Sequence, residues 1–373
     1  MKKLIFRNIV QDILVFFMVT SLAITLIVWV VQGVQYLDIV SEDGHGFKVY
    51  FMFTLLNLPK IFSKLIIFIF FISVFFIVSK YQSNNEILVF WSYGINKITF
   101  INNIILFSIL LFLIQLFLNL AIVPKSQDMA RSYLRSSNID YFPSLINEKR
   151  FIDAVDNLTI FVETKNDSGY LKNIFLKDKF SKNKSKIIAS KYGKIVKKND
   201  NFILILSDGK VINIDENKTN VLNFKKSEFN LSNYTTNTIT HPKVQDTSSV
   251  EILNCVLNYS KDKVSYKNEF LTCNKDSIDS FVKEIYNRAL IPFYIILVSI
   301  IACLIISKSK DEYNYEKYKY FTFLVGILVI IMSEVSKNYI AFENKLNLII
   351  MLFPIMLIIL LYSFLLIKFK FKT

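Results

Sequence analysis

The sequence predicts an α-helical integral membrane protein with six transmembrane helices, arranged three and three, and an all-β, jelly-roll-like domain inserted between them. The chain has 373 residues, is 53% hydrophobic and has a mean hydropathy of +0.41. Soluble domains rarely show this composition. Six apolar runs are long enough to cross a bilayer. A polar segment of about 160 residues follows the third run and is long enough to fold around its own core.

The apolar runs set the predicted domain boundaries. We place the spans at 13–34, 51–79, 98–123, 290–307, 320–336 and 348–367. Residues 1–123 then hold the first three spans, residues 124–287 the inserted domain with helical flanks, and residues 288–373 the last three spans. The first run is too long for a signal peptide and lacks a small-residue cleavage site, so we expect it to be retained.

Lysine and arginine in the short loops predict the orientation of the spans. The N-terminus carries Lys2, Lys3 and Arg7, and the segments after the fourth and sixth runs are also basic, whereas the loop after the first run is acidic. Both termini are therefore expected in the cytoplasm and the inserted domain outside. This bias accounts for part of the net charge of +14, and no nucleic-acid-binding pattern accompanies it. We expect no nucleic-acid partner.

The polar loop at 80–97 is predicted to contact another protein. Ser83-Asn84-Asn85-Glu86 has the spacing of a helix capping box, and Gly94 can end the helix in a left-handed conformation. The short helix between them carries large apolar side chains, among them Leu88 and Trp91, that it cannot bury against itself. Such a helix docks into a groove of a partner or lies on the bilayer surface.

Polar residues at the ends of three spans are candidates for binding a ligand, because such groups at membrane depth are costly and usually functional. Lys60 and Lys64 share one helix face, where they either bind an anionic group or extend to the lipid headgroups. The candidates at the ends of the first and fifth spans are Trp29, Gln32, Tyr36, Glu334 and Lys337. Anchoring at the headgroups is the alternative for these aromatic and charged residues.

The inserted segment changes to the pattern of β-strands. Short β-branched and aromatic runs, separated by turn signals, lie at 159–163, 171–176, 186–190, 194–197, 201–206 and 210–214. Asp208-Gly209 between the last two predicts a hairpin. Many short strands without a helical pattern favour a sandwich or a partly open jelly roll. Residues 250–286 return to a helical pattern.

The chain carries three cysteines and no recognisable catalytic motif. Cys303 lies in the fourth span as a core residue. Cys255 and Cys273 lie in the inserted domain, where an oxidising compartment would allow a disulfide, and two unpaired thiols are the alternative. Phosphate-binding, nucleophile-elbow and zinc-ligand motifs are missing from the sequence. We therefore expect no catalytic residues, no metal and no cofactor.

Two motifs and the span layout resemble the LptF/LptG permease family of lipopolysaccharide export. The first motif is Asn85-Glu86-Ile-Leu-Val-Phe-Trp-Ser-Tyr-Gly94 in the polar loop, and the second is Glu284-x-x-x-Arg288-x-x-x-Pro292 before the fourth span. Leu158-Thr-Ile-Phe-Val162 in the insert is also similar, and the resemblance covers essentially the whole chain. Two positions differ from the family, since Ile66-Ile67 replaces a proline and Trp-Ser-Tyr precedes Gly94 where small residues are usual.

The resemblance implies a permease subunit of an ABC transporter in the inner membrane of a Gram-negative cell. A paired LptF/LptG-type subunit and a cytoplasmic LptB-like ATPase dimer would complete the transporter. A single-span LptC-like protein and a periplasmic LptA-like bridge would receive the extracted lipopolysaccharide. The stretch Trp29-x-x-Gln32-x-x-Gln-Tyr-Leu-Asp38 is more similar to the LptF half than to the LptG half.

The resemblance also implies roles for the candidate residues. A coupling helix at 83–94 would contact the ATPase through Glu86, Leu88, Trp91 and Gly94, and helix capping alone is the alternative for Glu86. The span-end residues named above would contact lipopolysaccharide.

Two other classes of protein remain as alternatives. A receptor whose external β domain senses a ligand would need a cytoplasmic output domain. The predicted cytoplasmic stretches of this chain are shorter than about 20 residues, which is too short for such a domain. An exporter that releases lipoproteins usually has four spans with the external domain after the first, which the three-plus-three layout argues against.

Overall fold

The computed structural model describes residues 2–37, 46–137, 148–155, 158–166, 169–181, 184–198, 201–215, 218–230, 244–262, 266–267, 272–273, 275–342 and 347–370. The chain forms two compact units. The first unit comprises Met1–Val30, Asn57–Asp128 and Pro242–Thr373, and the second comprises Val31–Leu56 and Met129–His241.

Most of the helices follow the apolar runs of the sequence, whereas Val123–Ser137, Ser249–Asp262 and Lys275–Ala289 are amphipathic. The helices are α1 (Lys2–Gln35), α2 (Phe47–Leu56), α3 (Leu58–Ser83), α4 (Glu86–Ser92), α5 (Lys97–Phe117), α6 (Val123–Ser137), α7 (Ser249–Asp262), α8 (Lys275–Ala289), α9 (Phe293–Cys303), α10 (Tyr315–Ser336) and α11 (Asn347–Lys370). A π-helix, Leu118–Ile122, joins α5 to α6, and a 3₁₀ turn, Leu304–Ser307, extends α9.

Within the described part of the chain, five helical segments are long and apolar enough to cross a membrane. They are Phe6–Gln35, Phe47–Ser83, Lys97–Leu134, Tyr315–Tyr339 and Asn347–Phe369. A sixth crossing exists if Ser277–Ala289 and Phe293–Ser307, which meet at a 46° bend, count as one span. Pro292 precedes α9 at this bend and has no N–H to continue the preceding helix. The predicted fold class, a helical membrane protein with an inserted β domain, is confirmed.

The short apolar helix α9 lies at the centre of the first unit. Its side chains from Leu297 to Cys303 are all at most 1% exposed, and it packs against α3, α5, α10 and α11. A helix that is apolar on every side is expected to be enclosed by other helices. The surrounding helices expose leucines such as Leu113, Leu328 and Leu360, and apolar faces of that extent suit contact with lipid or another subunit.

The contact between α3 and α10 depends on a glycine. A Cβ atom added to Gly326 would lie 2.0 Å from the Phe71 ring, which is fully buried. The α10 backbone therefore approaches this ring more closely than any side chain would permit.

The described residues of the inserted domain form a six-stranded antiparallel sheet in the second unit. Its strands are β1 (Phe151–Val155), β2 (Leu158–Lys165), β3 (Tyr170–Ser181), β4 (Lys184–Lys198), β5 (Asn201–Asp215) and β6 (Lys218–Asn230). Each strand pairs with its neighbour in the chain. This meander is simpler than the Greek-key order of a jelly roll. A separate small hairpin, β7 (Tyr266–Lys267) and β8 (Thr272–Cys273), lies in the first unit.

The hairpin predicted at Asp208-Gly209 is wrong, because β5 continues through it. Asp208 has a positive φ of 55°, yet Ser207 and Gly209 keep the same register with β4. A Cβ atom on Gly209 would lie 2.4 Å from the ring of Phe224 on β6, so this glycine makes room for a cross-strand aromatic side chain. The runs predicted at 186–190 and 194–197 likewise merge into the single strand β4.

Candidate functional site

The loop helix α4 begins differently from the predicted capping box. Helix α3 continues through Ser83, so this residue ends one helix instead of capping the next. Asn85 precedes α4 with a left-handed φ of 59° and makes no side-chain capping bond. Asparagine tolerates this conformation better than most residues, which allows the sharp reversal. Glu86 is the first residue of α4, and its Oε1 accepts a hydrogen bond from Asn84 Nδ2 at 2.9 Å.

The end of α4 agrees with the sequence prediction. Gly94 has a φ of 68°, and its N–H donates to Trp91 O at 3.0 Å. The next N–H, of Ile95, donates to Phe90 O at 3.0 Å. This pair of bonds is the Schellman motif, in which a left-handed residue satisfies the last carbonyls of a helix.

Helix α4 has one buried face and one exposed apolar face. Ile87 and Phe90 are 5% and 2% exposed, and the Phe90 ring contacts that of Phe100 at 5.2 Å. The outer face carries three large side chains that are about half exposed: Leu88, Val89 and Tyr93.

Trp91 does not belong to the exposed face of α4. Its ring lies 6.0 Å from Phe100, and Lys97 Nζ is 5.8 Å from the ring centroid. Among the predicted contact residues, Leu88 is therefore exposed, and Trp91 packs against the same helical unit.

A polar pocket of about 270 Å³ lies within the first unit, at the opposite end of α3 from α4. It brings the predicted pair Lys60 and Lys64 together with Glu334 and Lys337. The other lining residues, which the sequence analysis did not assign to a ligand, are Ser63, Asn119, Val123, Gln127, Gln245, Lys283, Glu284, Asn287, Arg288 and Asn338.

The three other predicted ligand residues are elsewhere. Trp29, Gln32 and Tyr36 are not among the side chains that line this pocket. The Tyr36 ring packs against Phe53 at 5.1 Å.

The pocket has an excess of positive charge. Five of its lining side chains are cationic and two are carboxylates, a formal excess of three positive charges. Two ion pairs lie within it, Arg288 Nε to Glu284 Oε1 at 2.9 Å and Lys337 Nζ to Glu334 Oε1 at 2.7 Å. Lys60 Nζ donates to the neutral Oε1 of Gln127 at 3.2 Å. Such a pocket suits an oxygen-rich anion, which lysines bind through charge-assisted hydrogen bonds.

A polar network between α3 and the third span forms one wall of the pocket. Ser63 Oγ donates to Asn119 Oδ1, and Gln115 Nε2 donates to the Ser63 carbonyl at 3.1 Å. Asn119 lies in the π-helix, and single π-turns inside α-helices are frequent at functional sites. Sequence reasoning missed this wall, although the i,i+4 pair of Gln115 and Asn119 in an apolar run is a readable signal.

Arg288 holds a second wall of the pocket. The residue is 3% exposed, and its guanidinium donates to Thr247 O at 3.0 Å, Ser249 Oγ at 2.8 Å and Gln245 O at 3.1 Å. Ser249 Oγ in turn donates to the carbonyl of Leu120 in the π-helix at 2.8 Å. The Glu284-x-x-x-Arg288 motif therefore positions the segment that returns from the insert against the third span.

The cysteine prediction falls partly outside the described side chains. Cys255 on α7 is buried and disulfide-bonded, and Cys303 is a buried free thiol. The Cys273 side chain is outside the described part of the chain, so its pairing with Cys255 stays a prediction. No cluster of three or more potential metal ligands occurs among the residues that the structure describes.

Comparison with known proteins gives two matches. The family described as "Lipopolysaccharide export system permease LptF/LptG" matches residues 7–368. A curated protein of Rickettsia prowazekii (strain Madrid E), described as "Uncharacterized protein RP871", is 22% identical over 348 residues, which cover 89% of this chain and 91% of that protein.

Proposed function

Because the chain belongs to the LptF/LptG family of lipopolysaccharide export permeases, we propose that it is the permease subunit that extracts lipopolysaccharide from the inner membrane and passes it towards the outer membrane. At the family level it is a multi-pass inner-membrane protein that acts as a transport subunit in a complex with other Lpt proteins. The family match over residues 7–368 carries this conclusion.

We further propose that the chain pairs with a second LptF/LptG-type subunit and is driven by an LptB-like ATPase dimer. The exposed face of α4, with Leu88, Val89 and Tyr93, supports this proposal, because a partner groove would cover it. Glu86 at the start of α4 adds a carboxylate beside this face. LptC-like and LptA-like proteins would then carry the lipid away from the inserted β domain.

The polar pocket is proposed to hold an anionic part of lipopolysaccharide, such as a phosphate. Lys60, Lys64, Lys283 and Lys337 line one cavity of about 270 Å³. With the loop helix in the cytoplasm, as the basic loops predict, this cavity lies at the periplasmic end of the spans. A lipid headgroup at that depth would exchange contacts with water for charge-assisted hydrogen bonds.

Purification in mild detergent tests the transport function. A tagged chain is expected to co-purify with an ATPase and a second permease subunit, and lipopolysaccharide is expected to stimulate ATP hydrolysis by that complex. A complex without an ATPase would contradict the proposal.

Cysteine labelling tests the orientation. In a background with the native cysteines replaced, an impermeant maleimide applied to whole cells should label Lys191→Cys in β4 and not Asn96→Cys beside α5. The reverse pattern would contradict the proposed topology.

A further inference from the structure

Two helix ends meet beside α4 and exchange hydrogen bonds. The first is the end of α3, at Gln82 and Ser83, and the second is the segment that follows α9. Gln82 Nε2 donates to the Lys308 carbonyl at 2.6 Å, and Lys310 Nζ donates to the Ser83 carbonyl at 2.6 Å. Each end thus supplies a side-chain donor to the backbone of the other.

A third bond joins the same elements. Lys97, the first residue of α5, donates from Nζ to the Ile306 carbonyl at 3.5 Å. The same Nζ lies 5.4 Å from the ring centroid of Phe369 near the end of α11. We call Gln82, Ser83, Lys97, Ile306, Lys308 and Lys310 the interhelix clasp.

Elementary helix chemistry explains why the clasp forms. The last carbonyls of a helix have no donor within the helix, and a cation near this end interacts favourably with the helix dipole. Lys310 supplies both a donor and a positive charge at the end of α3. Lys97 does the same for the turn that ends the fourth span. Gln82 is 5% exposed, so its bond is shielded from competing water.

The clasp creates a connection that the chain order does not provide. Helix α4 is covalently linked only to α3 and α5, so its movement would be expected to reach the second and third spans. Through the clasp, both flanks of α4 also hold the junction between the fourth and fifth spans. Helix α10 begins after this junction, and Glu334 near its far end lines the polar pocket.

We propose that the interhelix clasp transmits movement of α4 to the fourth and fifth spans, with Gln82 and Lys310 as positioning residues. This inference rests on the proposed function, because it takes α4 as the element that the ATPase moves. Contact between these elements does not by itself demonstrate that their movements are coupled. Coupling is demonstrated if breaking the clasp changes how α4 and the two spans act together.

The test uses the complete complex with its ATPase, reconstituted in lipid nanodiscs. Lys310→Met removes the bond to Ser83, Lys310→Arg keeps a cationic donor there, and Gln82→Leu removes the buried bond. Lys317→Met is the matched control, because Lys317 is an exposed lysine of the same region. Lys310 is also exposed, so its variants leave the apolar core unchanged even where Gln82→Leu folds poorly.

Three quantities are measured for each variant: ATPase co-purification, basal ATP hydrolysis and hydrolysis stimulated by lipopolysaccharide. Lys310→Met and Gln82→Leu should lower the stimulated rate about fivefold, which corresponds to ~1 kcal/mol, at unchanged ATPase co-purification. Lys310→Arg and Lys317→Met should behave as the unaltered chain.

Three results would overturn the clasp inference. The first is an unchanged stimulated rate of ATP hydrolysis in Lys310→Met. The second is an equal fall of that rate in Lys317→Met. The third is loss of ATPase co-purification in Lys310→Met, which would place Lys310 in the docking surface. An unaltered complex that binds no ATPase would instead contradict the proposed function, and the inference with it.

Discussion

Replacing Arg288 should destabilise the protein more than replacing any neighbouring cation. Its side chain pairs with Glu284 and donates to acceptors on Gln245, Thr247 and Ser249. Arg288→Met removes all of these bonds and leaves the Glu284 carboxylate, which is 14% exposed, without its cation. Lys283 on the same helix α8 has a half-buried side chain and is the matched control.

The structure sets the expected magnitudes. Breaking a buried ion pair by removing one partner costs about 3–5 kcal/mol, because the other charge stays buried. Arg288→Lys keeps the charge near Glu284 but loses the planar fork that reaches several acceptors at once, so we expect ~1–2 kcal/mol. Lys283→Met should change the free energy of unfolding by less than about 0.5 kcal/mol.

Thermal unfolding in detergent measures this series. The midpoint should fall most for Arg288→Met, less for Arg288→Lys and least for Lys283→Met. Full stability in Arg288→Met, or an equal loss in Lys283→Met, would show that the guanidinium does not hold the return segment in place.

Three further predictions follow from the site and the core. The double variant Lys60→Gln, Lys64→Gln should reduce photocrosslinking of lipopolysaccharide to the purified complex, whereas Lys125→Gln, at an exposed position of α6, should not; equal crosslink yields in both variants and the unaltered complex would favour anchoring of Lys60 and Lys64 to lipid headgroups. Glu86→Gln should leave membrane insertion intact and weaken ATPase association, by about 2–5 kcal/mol if the carboxylate pairs with a buried cation of the ATPase; unchanged association would leave Glu86 a role within the loop alone. Gly326→Ala should destabilise by about 1–3 kcal/mol, because overpacking against a fully buried ring outweighs the ~1 kcal/mol gained in helix propensity; a stabilised variant, measured by thermal unfolding, would mean that the α3–α10 contact relaxes freely.

The polar pocket illustrates how far sequence reasoning reaches into the site. Lys60 and Lys64 were identifiable together because helical periodicity puts residues four apart on one face. Glu334 and Lys337 were identifiable because charges are rare in apolar spans. That the two pairs line one cavity depends on the packing of α3 against α10, for which no local pattern exists.

The loop helix shows the opposite case, in which a local pattern was misleading. Ser83-Asn84-Asn85-Glu86 fits a capping box, yet α3 extends through Ser83 and leaves only two residues for the reversal. Capping is a competition between adjacent helices for the same residues, and the clasp bond from Lys310 to the Ser83 carbonyl favours the longer α3. The glycine at position 94 was predictable, because few other residues adopt its left-handed conformation without strain.

The sequence by itself determined the spans, the inserted β domain and the family, because these depend on composition, on periodicity and on motifs read along the chain. Only the tertiary structure decided which residues meet across long separations. Asp208-Gly209 became part of a continuous strand because Phe224, on the next strand, covers the glycine. Arg288 became the centre of a pocket wall because packing brings it to acceptors that are about 40 positions away along the chain. Hydrogen bonds of this kind form when packing brings helix ends and side chains together, and the sequence of either partner alone does not specify the other.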